Sequence, residues 1–331
     1  MLRLVPLVAA FCIIGHPAAA DESIKSQAGP LTVEVADDLA LKDGARKKDL
    51  PYKVHYPGTG GPYPVVLFSH GYGGTKDAFG PIGQHWASHG YVVIHPTHAD
   101  GLGRRRADPP QGGGGDPTAR PRPGGLIGGL NDPHKIADRV ADLVLILDNV
   151  GELENAVPGL KGKIDASRIG VGGHSFGAYT AMLIGGVTVD LGGVNGRSFA
   201  DKRVRCILPI SGQGTGQQGL TDTSWAMLKL PMMTITGTRD QGIGGQGVEW
   251  KKEPYTFSPP GDKYLVVIDG ANHLSFGGGL GGRGSGITDI VKLFTVHFWD
   301  AYLKNSEPDR RRLRSGELVR AAGGACVVEA K

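Results

Sequence analysis

From residue 51 onward the chain alternates short β-branched runs with longer stretches of helical period, and few folds accept that rhythm. The strand candidates are Tyr52–Tyr56, Pro64–Ser69 (PVVLFS), Tyr91–His95 (YVVIH), Arg168–Gly173 (RIGVGG), Val204–Ile210 (VRCILPI), Met232–Thr236 (MMTIT) and Tyr264–Ile268 (YLVVI). The helical candidates are Asp77–His89, Asn131–Val150, Phe176–Gly185 and Ile287–Leu303; the second carries apolar Ile136, Val140, Leu143, Leu145 and Ile146. Strands this apolar cannot leave a face in water. The pattern therefore predicts an α/β fold, with a mostly parallel central sheet covered by helices on both faces and wound by right-handed crossovers. In such sheets the reactive residues gather at the carboxyl ends of strands. One α/β domain over residues 51–304 is expected. It is preceded by an export signal (1–20) and a polar leader of strand plus loop (21–50), and followed by a charged tail (305–331) with little core character.

Composition supports a globular chain and removes several classes. A chain of 331 residues with 40% hydrophobic and 21% charged residues can bury a large core. The formal charge is +4, from 36 basic and 32 acidic residues, which is too weak to argue for a nucleic-acid partner. The run Arg104–Arg106 reads as a solvated loop. The 55 glycines follow no Gly-X-Y repeat and mark turns and loops instead.

Arg3, the apolar run Leu4–Ile14 and the small residues Ala18–Ala20 have the layout of a signal peptide cleaved near Ala20, which implies a secreted or periplasmic protein. No other apolar stretch has spanning length, so no membrane span is expected. Cleavage would remove Cys12. An exported compartment permits a disulfide between Cys206 and Cys326, and a buried free thiol at Cys206 fits its apolar run equally well. The sequence leaves the oligomeric state open.

Two stretches break the rhythm. Gly101–Gly125 is rich in glycine and proline and has no period; it reads either as a lid near the site or as a plain insertion. Ser211–Leu220 (SGQGTGQQGL) reads as a second flexible loop.

Gly173-His174-Ser175-Phe176-Gly177 fits the pattern G-x-S-x-G, and a strand runs into the serine while a helix runs out of it. A serine on such a tight turn is lifted above the sheet, and its flanking glycines remove the side chains that would clash. The competing reading is that Ser175 merely caps the helix. A hydroxyl is a poor nucleophile until a base takes its proton. Asp240 and His273 follow the last two parallel strands in the order that this geometry needs. His273 is the candidate base and then acid, and Asp240 the carboxylate that holds its tautomer. Asp222, Asp262 and Asp269 are rival acids, but none ends a strand in the same way. Oxyanion donors are expected at the N–H of Phe176 and, from His70-Gly71-Tyr72-Gly73-Gly74, at that of Tyr72, with Gly71 as the alternative. Tyr72, Phe176 and Trp225 are the candidate acyl-pocket residues. His70, His98 and His174 read as structural hydrogen-bonding residues, with His174 pointing away from the elbow. His98 and Asp100 lack a third ligand at metal spacing.

These residues resemble a known group. The ordered set Gly173–Gly177, Asp240 and His273 resembles the α/β-hydrolase fold. Phe68–Gly74 and Ala87–Val93 narrow the resemblance, over about residues 51–304, to the branch of platelet-activating-factor acetylhydrolases, chlorophyllases and dienelactone hydrolases, near bacterial polyester hydrolases and cutinase-like esterases. The resemblance implies hydrolysis of a small-molecule or polymeric carboxylic ester through an acyl-enzyme, without cofactor or metal. Departures limit it: dienelactone hydrolases have cysteine where Ser175 stands, chlorophyllases tend to have arginine at Phe176, and polyester hydrolases tend to have tryptophan and methionine at His174 and Phe176. An amide or peptide hydrolase on the same residues, and a non-catalytic binding module on the same fold, are the competing readings.

Overall fold

The computed structural model describes residues 25–101, 125–277 and 286–331. The expected export signal and nearly all of the Gly101–Gly125 stretch lie outside the described residues. Nine strands form one sheet: β1 (Val33–Asp43), β2 (Lys48–Pro57), β3 (Tyr63–Ser69), β4 (Val92–Pro96), β5 (Ile164–His174), β6 (Val204–Ile210), β7 (Met232–Arg239), β8 (Lys263–Asn272) and β9 (Cys326–Ala330). Their spatial order is β1-β2-β4-β3-β5-β6-β7-β8-β9. The run from β4 through β8 is parallel; β1 and β2 at one edge and β9 at the other are antiparallel to their neighbours.

Side-chain alternation along the strands makes two cores. Val65 and Leu67 of β3 face one side while Val66 and Phe68 face the other; Ile207 of β6 opposes Cys206 and Leu208 in the same way. On the first side lie helices α2 (Pro133–Asn149) and α3 (Phe176–Ile184), and on the second α1 (Gly80–Ser88) and α5 (Ile287–Leu303). Helix α2 starts where Asp132 accepts from the His134 N–H and Pro133 occupies the first turn. It buries Ile136, Val140, Leu143, Ile146 and Leu147, spaced three and four apart. Gly170 of β5 leaves space for an indole: a Cβ there would lie 2.6 Å from Cζ3 of the buried Trp299. No helix among the described residues is long and apolar enough to cross a membrane.

The expected margins differ from the observed ones. The polar leader is mostly β1 and the start of β2, paired from Val33↔Pro57 to Asp43↔Lys48, so residue 51 falls inside a strand. The charged tail folds as α6 (Glu307–Ser315), α7 (Glu317–Ala321) and β9. It buries Leu313, Leu318 and Cys326, and β9 pairs with β8. These segments bury few apolar side chains, so their charged surface hid them. Cys206 on β6 and Cys326 on β9 are buried free thiols with two strands between them in the sheet order, and no disulfide joins them.

Candidate active site

Ser175, Ser211, Asp240 and His273 are each the first residue beyond one of four adjacent strands, β5, β6, β7 and β8. Parallel pairing aligns these ends, so four positions spread over a hundred residues share one rim. At the elbow Ser175 adopts φ 55° and ψ −119°, a region that side chains rarely enter. Its N–H donates to the Ile210 carbonyl at 3.0 Å and its carbonyl accepts from the Tyr179 N–H at 3.1 Å. The flanking glycines are sterically required. A Cβ on Gly173 would lie 2.3 Å from the Gly177 carbonyl, and one on Gly177 would lie 1.9 Å from the Ser69 carbonyl oxygen. Ser175 occupies the N-cap position of α3, yet its side chain makes no capping bond; its Oγ lies 3.0 Å from Nε2 of His273.

Behind the imidazole, Nδ1 of His273 lies 3.2 Å from Oδ1 of Asp240 and 2.8 Å from Oγ of Ser211, which itself donates to Asp240 at 3.0 Å. Thr236 Oγ1 donates to the other Asp240 oxygen at 2.9 Å. Burial pushes the Asp240 carboxyl up, but hydrogen bonds from His273 and Ser211 and the nearby Lys251 charge hold it below its ordinary value. Lys251 projects from α4 (Val248–Phe257) with its Nζ 4.0 Å from Asp240 and donates to the Ser211 carbonyl at 3.1 Å. Asp262 pairs with Arg314, Asp269 accepts from Thr238, and Asp222 is exposed at a turn.

Sequence reasoning missed Ser211 and Lys251. The Ser211–Leu220 stretch was expected to be flexible. Instead Ser211 is fully buried with φ 52°, and Gln213 and Gln218 are buried beside it. The available signal was position: the first residue after VRCILPI stands at the same level of the sheet as Ser175.

The side chains open into a cleft of about 630 Å³ walled by Tyr72, Phe79, Leu130, Ile243, Trp250 and Leu274, with Gln213, Gln217 and Gln241 supplying polar atoms. Tyr72 lies on the turn Gly71–Gly74, which is closed by the Gly74 N–H on the Gly71 carbonyl at 3.0 Å. Gly71 abuts Ser175, since a Cβ there would lie 3.5 Å from Cβ of Ser175. The Phe176 N–H belongs to the first turn of α3, where amide hydrogens lack intrahelical acceptors.

Two expected pocket residues are core residues instead. The Phe176 ring is fully buried and stacked on Tyr179, and Trp225 is fully buried with its N–H on the Met182 sulfur at 3.5 Å. An elbow whose helix dives into the core carries its first side chain inward, and Phe176 does not line the cleft. His174 does not point away from the elbow: it lines the cleft and donates from Nε2 to the His273 carbonyl at 2.8 Å. Burial and the neighbouring His273 push its imidazole down to about 3.

The other two histidines are hydrogen-bonding residues on the α2 side of the site. His70 donates from Nδ1 to the Gly71 carbonyl at 2.6 Å and accepts from the His98 N–H at 3.0 Å. His98 donates from Nδ1 to Asp142 and accepts at Nε2 from the Ser69 hydroxyl, both at 2.8 Å. Asp100 pairs with Arg139. Among the described residues no group of three or more His, Cys, Asp and Glu side chains could hold a metal ion.

Comparison with known proteins adds the following. The family model for platelet-activating factor acetylhydrolase, isoform II, matches residues 45–103, which hold β2, β3, the Gly71–Gly74 turn and β4. The chain is similar to the platelet-activating factor acetylhydrolases of Canis lupus familiaris (26% identical over 236 residues, 66% of this chain and 49% of the relative) and Bos taurus (26% over 243 residues, 66% and 49%). It is also similar to cutinase est2 of Thermobifida alba (23% over 260 residues, 78% and 68%). The chain thus spans about half the length of the acetylhydrolases it matches.

Proposed function

We propose that this chain, an α/β-hydrolase in the acetylhydrolase and cutinase-like branch, is a serine carboxylic ester hydrolase. The observation that carries the reading is the relay from the Ser175 hydroxyl through His273 to Asp240, opening into an apolar cleft. His273 Nε2 takes the Ser175 proton as Oγ attacks the ester carbonyl. The carbonyl oxygen becomes an oxyanion held by the N–H groups of Tyr72 and Phe176, while Asp240 stabilises the imidazolium. Collapse breaks the bond to the alkoxy oxygen, and the imidazolium returns its proton to the departing alcohol. His273 then deprotonates a water, which attacks the acyl-enzyme and frees the acid and the Ser175 hydroxyl. Tyr72, Phe79, Leu130 and Trp250 give the acyl group an apolar wall.

Inactivation with a p-nitrophenyl phosphonate tests the reading. The adduct is expected on Ser175 by peptide mass spectrometry, and Ser175→Ala should take up no label. Turnover of p-nitrophenyl esters should exceed that of matched anilides; faster anilide cleavage would make the protein an amidase. Export rests on Arg3, Leu4–Ile14 and Ala18–Ala20. N-terminal sequencing of the protein from the culture medium or periplasm, expected to begin at Asp21, tests it.

A further inference from the structure

Helix α2 buries a charged residue that the reaction as written does not use. Arg139 is 2% exposed and lies on the helix face that holds Ile136, Val140 and Leu143. A guanidinium has five N–H donors, and here each has an acceptor. Nε and Nη2 donate to the two Asp100 oxygens at 3.1 and 2.8 Å. Nη1 donates to the His70 carbonyl at 2.7 Å and the Ser69 hydroxyl at 3.3 Å. The second Nη2 hydrogen goes to the Gly71 carbonyl at 3.2 Å. The guanidinium carbon also lies 4.5 Å from the centre of the Phe176 ring. One buried side chain therefore touches both segments that carry the oxyanion donors.

The peptide plane gives this contact its meaning. In a trans peptide the C=O of one residue and the N–H of the next point in opposite directions. The Gly71 carbonyl accepts from Arg139, from His70 Nδ1 and from the Gly74 N–H. The Tyr72 N–H of the same plane must therefore point away from the arginine. We propose that Arg139 is a positioning residue: it sets the orientation of the Tyr72 N–H and, by packing on Phe176, its spacing from the second donor. Asp100 neutralises the guanidinium, so the contribution is geometric. The inference rests on Ser175 as nucleophile and on Tyr72 as donor.

Arg139→Lys retains the charge but offers three donors from one point and cannot hold two carbonyls and a carboxylate in a plane. The test compares a p-nitrophenyl ester with its thionoester, whose sulfur uses oxyanion donors poorly. Arg139→Lys should lower kcat on the ester by about 10²-fold, leave KM within about twofold, and collapse the ester-to-thionoester ratio of kcat/KM. Ser211→Ala, on the triad side, should slow both substrates and keep the ratio. Asp100→Asn, which retains the arginine, should shift the ratio in the same direction by less, and serves if Arg139→Lys does not fold. A wild-type ratio in Arg139→Lys, or in Asp100→Asn where that stands in for it, would overturn the inference. Activity surviving in Ser175→Ala would instead overturn the functional reading beneath it.

Discussion

The sheet carries two serine–histidine–aspartate chains with nearly the same connectivity. In Ser175–His273–Asp240 the imidazole is 3.0 Å from the hydroxyl and 3.2 Å from the carboxylate; in Ser69–His98–Asp142 both separations are 2.8 Å. The tighter set is the more enclosed one. Ser69, His98 and Asp142 are fully buried, whereas the His273 side chain is 35% exposed. Ser69 ends a regular strand, while Ser175 is held at positive φ above the sheet, at the mouth of a helix. Burial, with the Arg139 charge beside it, keeps His98 below the ordinary imidazole value, so it serves as a neutral link. On the proposed reading, then, hydrogen-bond geometry alone does not single out the reactive array; access to the cleft and the strained turn at Ser175 are what set it apart.

Mutating the two serines in parallel gives the widest separation. Ser175→Ala should lower ester kcat/KM by at least about 10⁴-fold with an unchanged melting temperature. Ser69→Ala should lower kcat by less than about tenfold and lower stability by about 1–3 kcal/mol, because His98 and Arg139 lose a buried partner; denaturant titration measures it. Equal losses of activity would erase the distinction. The carboxylates sharpen it: Asp240→Asn should lower kcat by about 10³–10⁴-fold.

Asp142→Asn should act on stability against pH. Burial pushes the Asp142 carboxyl up, but bonds from His98 and Lys48 hold it well below the usual carboxylate range. A depressed carboxyl stabilises the fold above its unfolded value, and that contribution is lost on acidification through the folded one. The native protein should thus lose stability as pH falls below about 4, and Asp142→Asn should reduce the slope in acid urea titrations. The smallest effect expected is from Lys251→Met, which removes the cation 4.0 Å from Asp240 and the donor to the Ser211 carbonyl; steady-state kinetics on esters should show a lower kcat, but by less than Asp240→Asn.

What the sequence displayed was local and periodic. Runs such as PVVLFS and MMTIT located strands, and the two glycines around Ser175 located the elbow. Asp240 and His273 were legible because each follows such a run directly. Ser211 does too, but its glycine- and glutamine-rich sequel suggested mobility, and nothing local indicates that the Lys251 ammonium and the Ile235 carbonyl hold its backbone. Arg139 and Asp142 stand three apart on the apolar stripe of α2, a spacing that places two charges against the core. That was the overlooked signal. The edge strands were hidden because five of the eleven residues of Val33–Asp43 are charged and the arginines of α6 mask Leu313.

A Cβ on Gly177 would lie 1.9 Å from the Ser69 carbonyl oxygen and 2.7 Å from that of His70, so the Ser175 turn and the loop that follows β3 pack without slack. The two behave as one joint. On the proposed reading, varying residues 70–74 to admit new acyl groups should also shift Ser175. Engineering for altered selectivity is better aimed at Ile243, which lines the cleft and adjoins neither His273 nor Lys251 in the chain.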